Sequence, residues 1–259
     1  MLLQTLSTST VGQPRLRAEF KLMKTKTLLT LCLALAACGK SMAATFTSTD
    51  IPKTIPDGNT LGVSSTINVS GMNFSLSSIQ VNIDVTSPWN GDLYAVLRGP
   101  TGSYAILLNQ VGVSSANSFG YGDHGFNMSF VLSGANNIHY YQAGGAGTYT
   151  LNGNNQLTGS WLADGRDLTP PANPTALGNA SPTRQLDQFL GTDPNGTWTL
   201  TFADVAAGGG NSILNGWSID VTAVPEPVNL ALGLFAVIGI GGKVTSWRLK
   251  AKRAAAAAA

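Results

Sequence analysis

Between Thr45 and Ala223 several runs carry apolar residues at every second position, a pattern that builds strands and cannot hold a helix against a core. Ile79, Val81, Ile83 and Val85 alternate with Gln80, Asn82 and Asp84. Trp198, Leu200 and Phe202 alternate with Thr197, Thr199 and Thr201, and Trp217, Ile219 and Val221 repeat the device. Further strands are expected near residues 65–69, 127–132 and 148–151. Turn chemistry separates the runs: Pro88-Trp89-Asn90-Gly91 precedes residues 92–98, and Gly99-Pro100-Thr101-Gly102 joins that run to residues 103–108, predicting a hairpin. No long helical pattern interrupts them. The expectation is all-β: one antiparallel two-sheet sandwich of jelly-roll or Greek-key type, of a size that buries a real core.

The two ends are built differently. Lys21, Lys24 and Lys26 precede an apolar stretch from Leu28 to Ala37, followed by small residues Ser41, Ala43 and Ala44, the layout of a secretory signal peptide. Translation is read as starting at Met1 or at Met23. Cleavage near Ala43 or Ala44 is expected. A second site competes with it, since Leu35-Ala36-Ala37-Cys38-Gly39 has the form of a lipobox with Cys38 as the lipidated residue. The domain reading is a signal region over 1–44, a β domain over 45–223, a sorting and membrane segment over 224–253 and an alanine-rich tail over 254–259.

At the C-terminal end Val224-Pro225-Glu226-Pro227 leads into an apolar stretch at 228–242 and then Lys243, Arg248, Lys250, Lys252 and Arg253. The stretch is shorter than the ~20 residues that comfortably span a bilayer. It predicts a marginal transmembrane helix with a cytoplasmic basic tail. The prolines keep Glu226 extended and accessible. This order of residues resembles the PEP-CTERM sorting signal, which implies recognition of Val224, Pro225, Glu226 and Pro227 by an exosortase-like enzyme, transient anchoring in the inner membrane, and delivery to the cell surface or extracellular matrix.

Charge is distributed to match. Eleven of the fifteen Lys and Arg residues lie before residue 45 or after residue 242, and the stretch from Thr45 to Pro227 carries four basic against twelve acidic residues, a formal charge of −8. Nucleic acid is not an expected partner, because its binding faces need clustered Lys and Arg. Cys32 and Cys38 both fall in the signal region, so conventional processing leaves no disulfide, thiol nucleophile or thiolate metal site in the exported domain.

A second resemblance lies inside the β domain. Residues 78–108, with Gly91-Asp92-Leu93 and Gly99-Pro100-Thr101-Gly102, are similar to the first half of the P domain (P/Homo B domain) of proprotein convertases. Leu190-Gly191-Thr192-Asp193-Pro194-Asn195-Gly196-Thr197-Trp198, Asp204 and Leu214-Asn215-Gly216-Trp217 resemble its closing hairpin. The likeness implies the fold and an association with serine endopeptidases, and transfers no catalytic residue. Two departures stand out: the histidine usual before Gly91 is absent, and residues 142–182 form a long Gly-, Asn- and Pro-rich insertion, where loop variation and specificity are expected, the competing account being a solvated, partly mobile connector.

No catalytic constellation is found. His124 and His139 are the two histidines, both expected in loops, and neither a nucleophile elbow nor a zinc-protease motif occurs. Asp164 and Asp167 are near in sequence, but nothing sets the separation a glycosidase needs. Cation binding is the sharpest residue-level expectation: Asp92, Asp123 and Asp204 lie in loops or at strand ends, where convergence would suit calcium. The competing account is that each aspartate stabilises its own turn. Trp89 and Tyr94, Tyr104, Tyr121, Tyr140 and Tyr141 raise carbohydrate stacking against ordinary packing. The reading is a non-enzymatic exported binding or structural module whose partner is an exopolysaccharide or a surface protein. Its alternative is an accessory to a serine endopeptidase on a separate chain.

Overall fold

The computed structural model describes residues 41–143, 148–224 and 256–257. Residues 41–224 form one compact unit. Ten strands make two sheets. The larger has the order β1 (Met42–Thr47), β10 (Ser212–Val224), β4 (Ser75–Thr86), β7 (Gly125–Phe130) and β8 (Ser160–Trp161), with β2 (Lys53–Ile55) also on β10. The smaller runs β3 (Asn59–Val69), β9 (Gly196–Asp204), β5 (Leu93–Arg98) and β6 (Tyr104–Asn109).

Alternation decides which side of each strand is buried. Ile79, Val81, Ile83 and Val85 of β4, Trp198, Leu200 and Phe202 of β9 and Trp217, Ile219 and Val221 of β10 belong to one continuous apolar cluster between the sheets. Trp198 is fully buried, meets Phe189 edge to face at 4.8 Å, and donates its indole N–H to the Pro194 carbonyl at 2.9 Å. The hairpin expected around Gly99-Pro100-Thr101-Gly102 is present: β5 and β6 pair antiparallel, closed by the Gly99 N–H on the Ser103 carbonyl.

Three expectations and one competing account are corrected. The resemblance implied a closing hairpin, yet β9 and β10 lie in different sheets, because residues 205–211, with three successive glycines, carry the chain from one layer to the other. Pairing is not wholly antiparallel, since β8 joins β7 in parallel. Residues 148–151 form no strand, contributing an isolated bridge between Leu151 and Leu157. The insertion is no solvated connector. It buries Leu157, Trp161, Asp164 and Leu177, carries the short helix α1 (Pro174–Asn179), and lays Asp164 and Gly165 along the open edge of β6 through hydrogen bonds to the Leu107 and Ile106 carbonyls. Covering that edge removes the unpaired backbone groups on which another strand could form.

The first and last strands of this unit lie side by side, Met42 pairing with Ala223, and Ser75 pairs with Val224. Because β1 begins at Met42, cleavage after Ala44 would leave only Thr45, Phe46 and Thr47 of that strand, whereas cleavage before Cys38 would leave it whole. Among the described residues no helix is long and apolar enough to cross a membrane. The expected span at 228–242, with Pro225, Glu226 and Pro227, lies outside them.

Candidate functional site: a polar cleft on the six-stranded sheet

The outward positions of the larger sheet align into rows across strands. One row runs Thr47, Ser218, Asn82, Ser129 and Ser160 over five neighbouring strands, and a second runs Gly216, Asp84 and Asn127. At ~4.8 Å between strands the longer row extends about 19 Å. Side chains along it are fixed by one another. Asn82 donates to Asp220 Oδ2 at 2.8 Å and to Ser218 Oγ at 3.0 Å, and its carbonyl oxygen accepts from Ser129 Oγ at 2.6 Å and Gln80 Nε2 at 2.8 Å. Thr45 donates to the other oxygen of Asp220. Above this floor lies a cleft of about 510 Å³, within the ~300–1,000 Å³ of small-ligand sites.

A local departure from regular strand and a residue of the insertion shape the cleft. A bulge at Leu214–Gly216 turns Asn215 so that its amide donates to Asp84 Oδ1 at 3.3 Å and to Thr86 Oγ1 at 2.9 Å, and it leaves Gly216 facing the cleft without a side chain. From the insertion, buried Gln156 donates to Asp84 Oδ1 at 2.9 Å and to the Val85 carbonyl at 3.0 Å. Asp84 is thereby held by two donors on one oxygen. Asn127 is exposed and its side-chain amide bonds to none of the described residues. None of these residues stood out as a site in the sequence. The signal was present in the polar half of the alternation, where Gln80, Asn82 and Asp84 take positions that threonines fill in β9.

The aspartates expected to converge do so only in part. Asp92 and Asp204 lie near each other, with Asp57 near both. Burial first, then the charges of Asp204 and Asp57, push the Asp92 carboxyl up to about 6. Burial also raises Asp204, opposed by N–H groups of Ala206 and Gly58 and by the Ser212 hydroxyl, and reinforced by the charge of Asp57. Asp123 is engaged elsewhere, accepting from Tyr141 Oη at 2.7 Å and Gln142 Nε2 at 2.6 Å. Among the described residues no group of three His, Cys, Asp or Glu side chains could hold a metal. Gly91 in the Gly-Asp-Leu motif is required by approach rather than by metal: a Cβ there would stand 2.3 Å from the Phe119 carbonyl oxygen.

Asp164 and Asp167 are separated by their environments. Asp167 is exposed, paired to Arg184 Nε at 3.3 Å and to Tyr104 Oη at 2.8 Å. Asp164 is fully buried between His139 Nδ1 at 2.8 Å and Arg166 Nη1 at 3.1 Å. His139 also donates from Nε2 to the Val113 carbonyl at 3.1 Å. Both ring nitrogens are thus committed to structural acceptors, and neither is left for a nucleophile's hydroxyl. Tyr141 and Tyr121 pack edge to face at 4.7 Å inside this region, whereas Trp89 is partly exposed, its indole N–H donating to the Phe119 carbonyl at 2.7 Å.

No protein-family model matches the chain, and no curated protein sequence matches it. Among solved structures it is similar to the serine protease of Aeromonas sobria in complex with its chaperone, at 17% identity and a TM-score of 0.40, covering 75% of this chain and 29% of that one. It is also similar to the serine protease of Aeromonas sobria alone, at 16% identity and a TM-score of 0.39, covering 71% of this chain and 27% of that one. The chain spans less than a third of the length of either.

Proposed function

We propose that this protein is an exported β-sandwich of jelly-roll or Greek-key type that binds a polysaccharide of the cell envelope or extracellular matrix along the outer face of its six-stranded sheet. The observation that carries the reading is the cross-linked row of amides, hydroxyls and carboxylates beneath the cleft. Asparagine and aspartate are poor choices for a central strand. Their succession at 82 and 84 serves something other than the fold. Sugar hydroxyls both donate and accept, and paired amide and carboxylate groups answer both roles in a fixed geometry.

The signal-like N-terminus and the Val224-Pro225-Glu226-Pro227 sequence support export and handover to an exosortase-like enzyme. Calcium remains our proposal for the aspartates, narrowed to Asp92 with Asp204. The cleft presents no exposed aromatic ring, so binding rests on hydrogen bonds contributing about 0.5–1.5 kcal/mol each. A handful of these corresponds to affinities near millimolar per site, strengthened where several molecules engage one polymer.

Affinity electrophoresis through gels containing the matrix polysaccharide tests this. Wild-type protein should be retarded and Asn127→Ala should run closer to its mobility in a plain gel. Equal mobility of the wild type in both gels would reject the reading.

A further inference from the structure

Resting on the reading of the cleft as a polysaccharide site, we infer that its ligand carries primary amines, as in a polymer of glucosamine-type units, and that Asp84 is the residue that reads the amine. Among the described residues the two carboxylates of this face are not equivalent. Asp220 has both oxygens occupied, one by Thr45 and the other by Asn82 at 2.8 Å and Gln80 at 3.5 Å. Asp84 receives both its donors, Gln156 and Asn215, on Oδ1, which leaves Oδ2 without a donor. Asp84 lines the cleft and is only partly exposed. Its second oxygen is therefore an open acceptor on a residue that lines the cleft.

Among the described residues no basic side chain balances it. Lys53 is paired with Asp50, Arg184 with Asp167 and Arg166 with buried Asp164, while Arg98 lies over the Tyr104 ring. None of the four lines the cleft. A uronate or sulfate group would meet a carboxylate with no compensating cation. A neutral hydroxyl can satisfy Oδ2 with one ordinary hydrogen bond. An ammonium group satisfies it with a charge-assisted bond, roughly twice as strong, and relieves the negative charge of the face as well. Asn127, across the β4–β7 pair from Asp84, supplies amide donors and an acceptor for the neighbouring hydroxyls of the same unit.

The test titrates the full processed protein with three oligosaccharides of equal length: β-1,4-linked glucosamine tetramer, its N-acetylated counterpart and a galacturonate tetramer. The glucosamine tetramer should bind about tenfold more tightly than the acetylated one, equivalent to about 1.4 kcal/mol, and the galacturonate should not bind. Asp84→Asn keeps an oxygen for Gln156 and Asn215, so it should melt like the wild type while losing the preference, the amine and acetylated tetramers then binding with equal affinity. Asp187→Asn, an exposed carboxylate away from the cleft, changes net charge equally and should retain the preference.

Equal affinity of the wild type for the amine and acetyl forms, or an unchanged preference in Asp84→Asn, would overturn the inference while leaving the cleft a sugar site. Loss of preference in Asp187→Asn to the same degree would also overturn it, assigning the effect to net charge alone. Failure of every probe and of the matrix polysaccharide would instead remove the reading on which the inference rests.

Discussion

The outer faces of the two sheets are made from the same period-two pattern and opposite chemistry. On the smaller sheet Thr197, Thr199 and Thr201 line β9, and Thr201 shares a hydrogen bond of 2.8 Å with Ser64 of β3. Threonine is β-branched and suits a strand exposed on one side. On the larger sheet Gln80, Asn82 and Asp84 occupy the equivalent positions of β4, where they gain nothing from backbone propensity and are held by cross-strand hydrogen bonds. One face is what folding alone would select. The other carries two poorer strand formers, Asn82 and Asp84, in a cross-linked polar surface, a local conflict that is expected where a site is carried.

The largest effect expected lies on neither face but under the strap that covers the edge of β6. Asp164→Ala should lower stability by about 3–5 kcal/mol in denaturant titration, since it leaves His139 and Arg166 buried without their carboxylate. A loss below about 1 kcal/mol would mean that the strap is not anchored by this network. Next comes the swap that tests the contrast directly. Asn82→Val should weaken polysaccharide binding at least tenfold, about 1.4 kcal/mol, while stability holds or rises by up to about 1 kcal/mol. A protein that unfolds instead would show the polar row to be structural.

The Asp92 and Asp204 pair offers a smaller, pH-dependent contrast. Asp92 has a native carboxyl at about 6, above its ordinary 3.8, so the native state holds this proton more tightly than the unfolded chain. Its contribution is fully present below pH 3.8 and is lost as pH rises through 6. Asp92→Asn should remove this slope and stabilise the protein at pH 7 by about 1 kcal/mol, a figure reduced for solvent screening of a half-exposed group. Under the calcium proposal, millimolar calcium should flatten the wild-type slope and leave Asp92→Asn unmoved. A wild-type melting curve indifferent to calcium after chelation would leave each aspartate as a stabiliser of its own turn. The smallest effect is expected on the threonine face: Thr199→Asn should cost at most about 1 kcal/mol and leave polysaccharide binding untouched. Altered binding there would break the assignment of function to one face.

The strand content and the side each strand buries were legible in the chain itself, because side-chain direction in a strand follows from position alone. Ile79 to Val85 and Trp198 to Phe202 went to the core as their alternation required, and the Gly99–Gly102 turn closed a hairpin between adjacent strands. These are local consequences of sterics and apolar burial. What lay beyond local reach was partnership. The glycines after Val205 announce a turn but not a change of sheet. Nothing in the composition of residues 142–182 told that Gln156 and Asp164 would be buried, since a polar residue enters a core only when distant donors and acceptors are there to satisfy it. Asp92, Asp123 and Asp204 each sit in a loop, yet only Asp92 and Asp204 are brought together.

The cleft follows the same division. That Gln80, Asn82 and Asp84 point away from the core was set by the sequence, through the period of the strand. That they meet Ser218 and Asp220 on one side and Ser129 and Asn127 on the other depends on the register of β10 and β7, which is fixed by burial of apolar faces more than a hundred residues apart along the chain in the case of β10. A slip of one residue would turn every one of these side chains inward. The residues of the site were therefore written locally, and the site itself exists only because the packed core holds three strands in a single register.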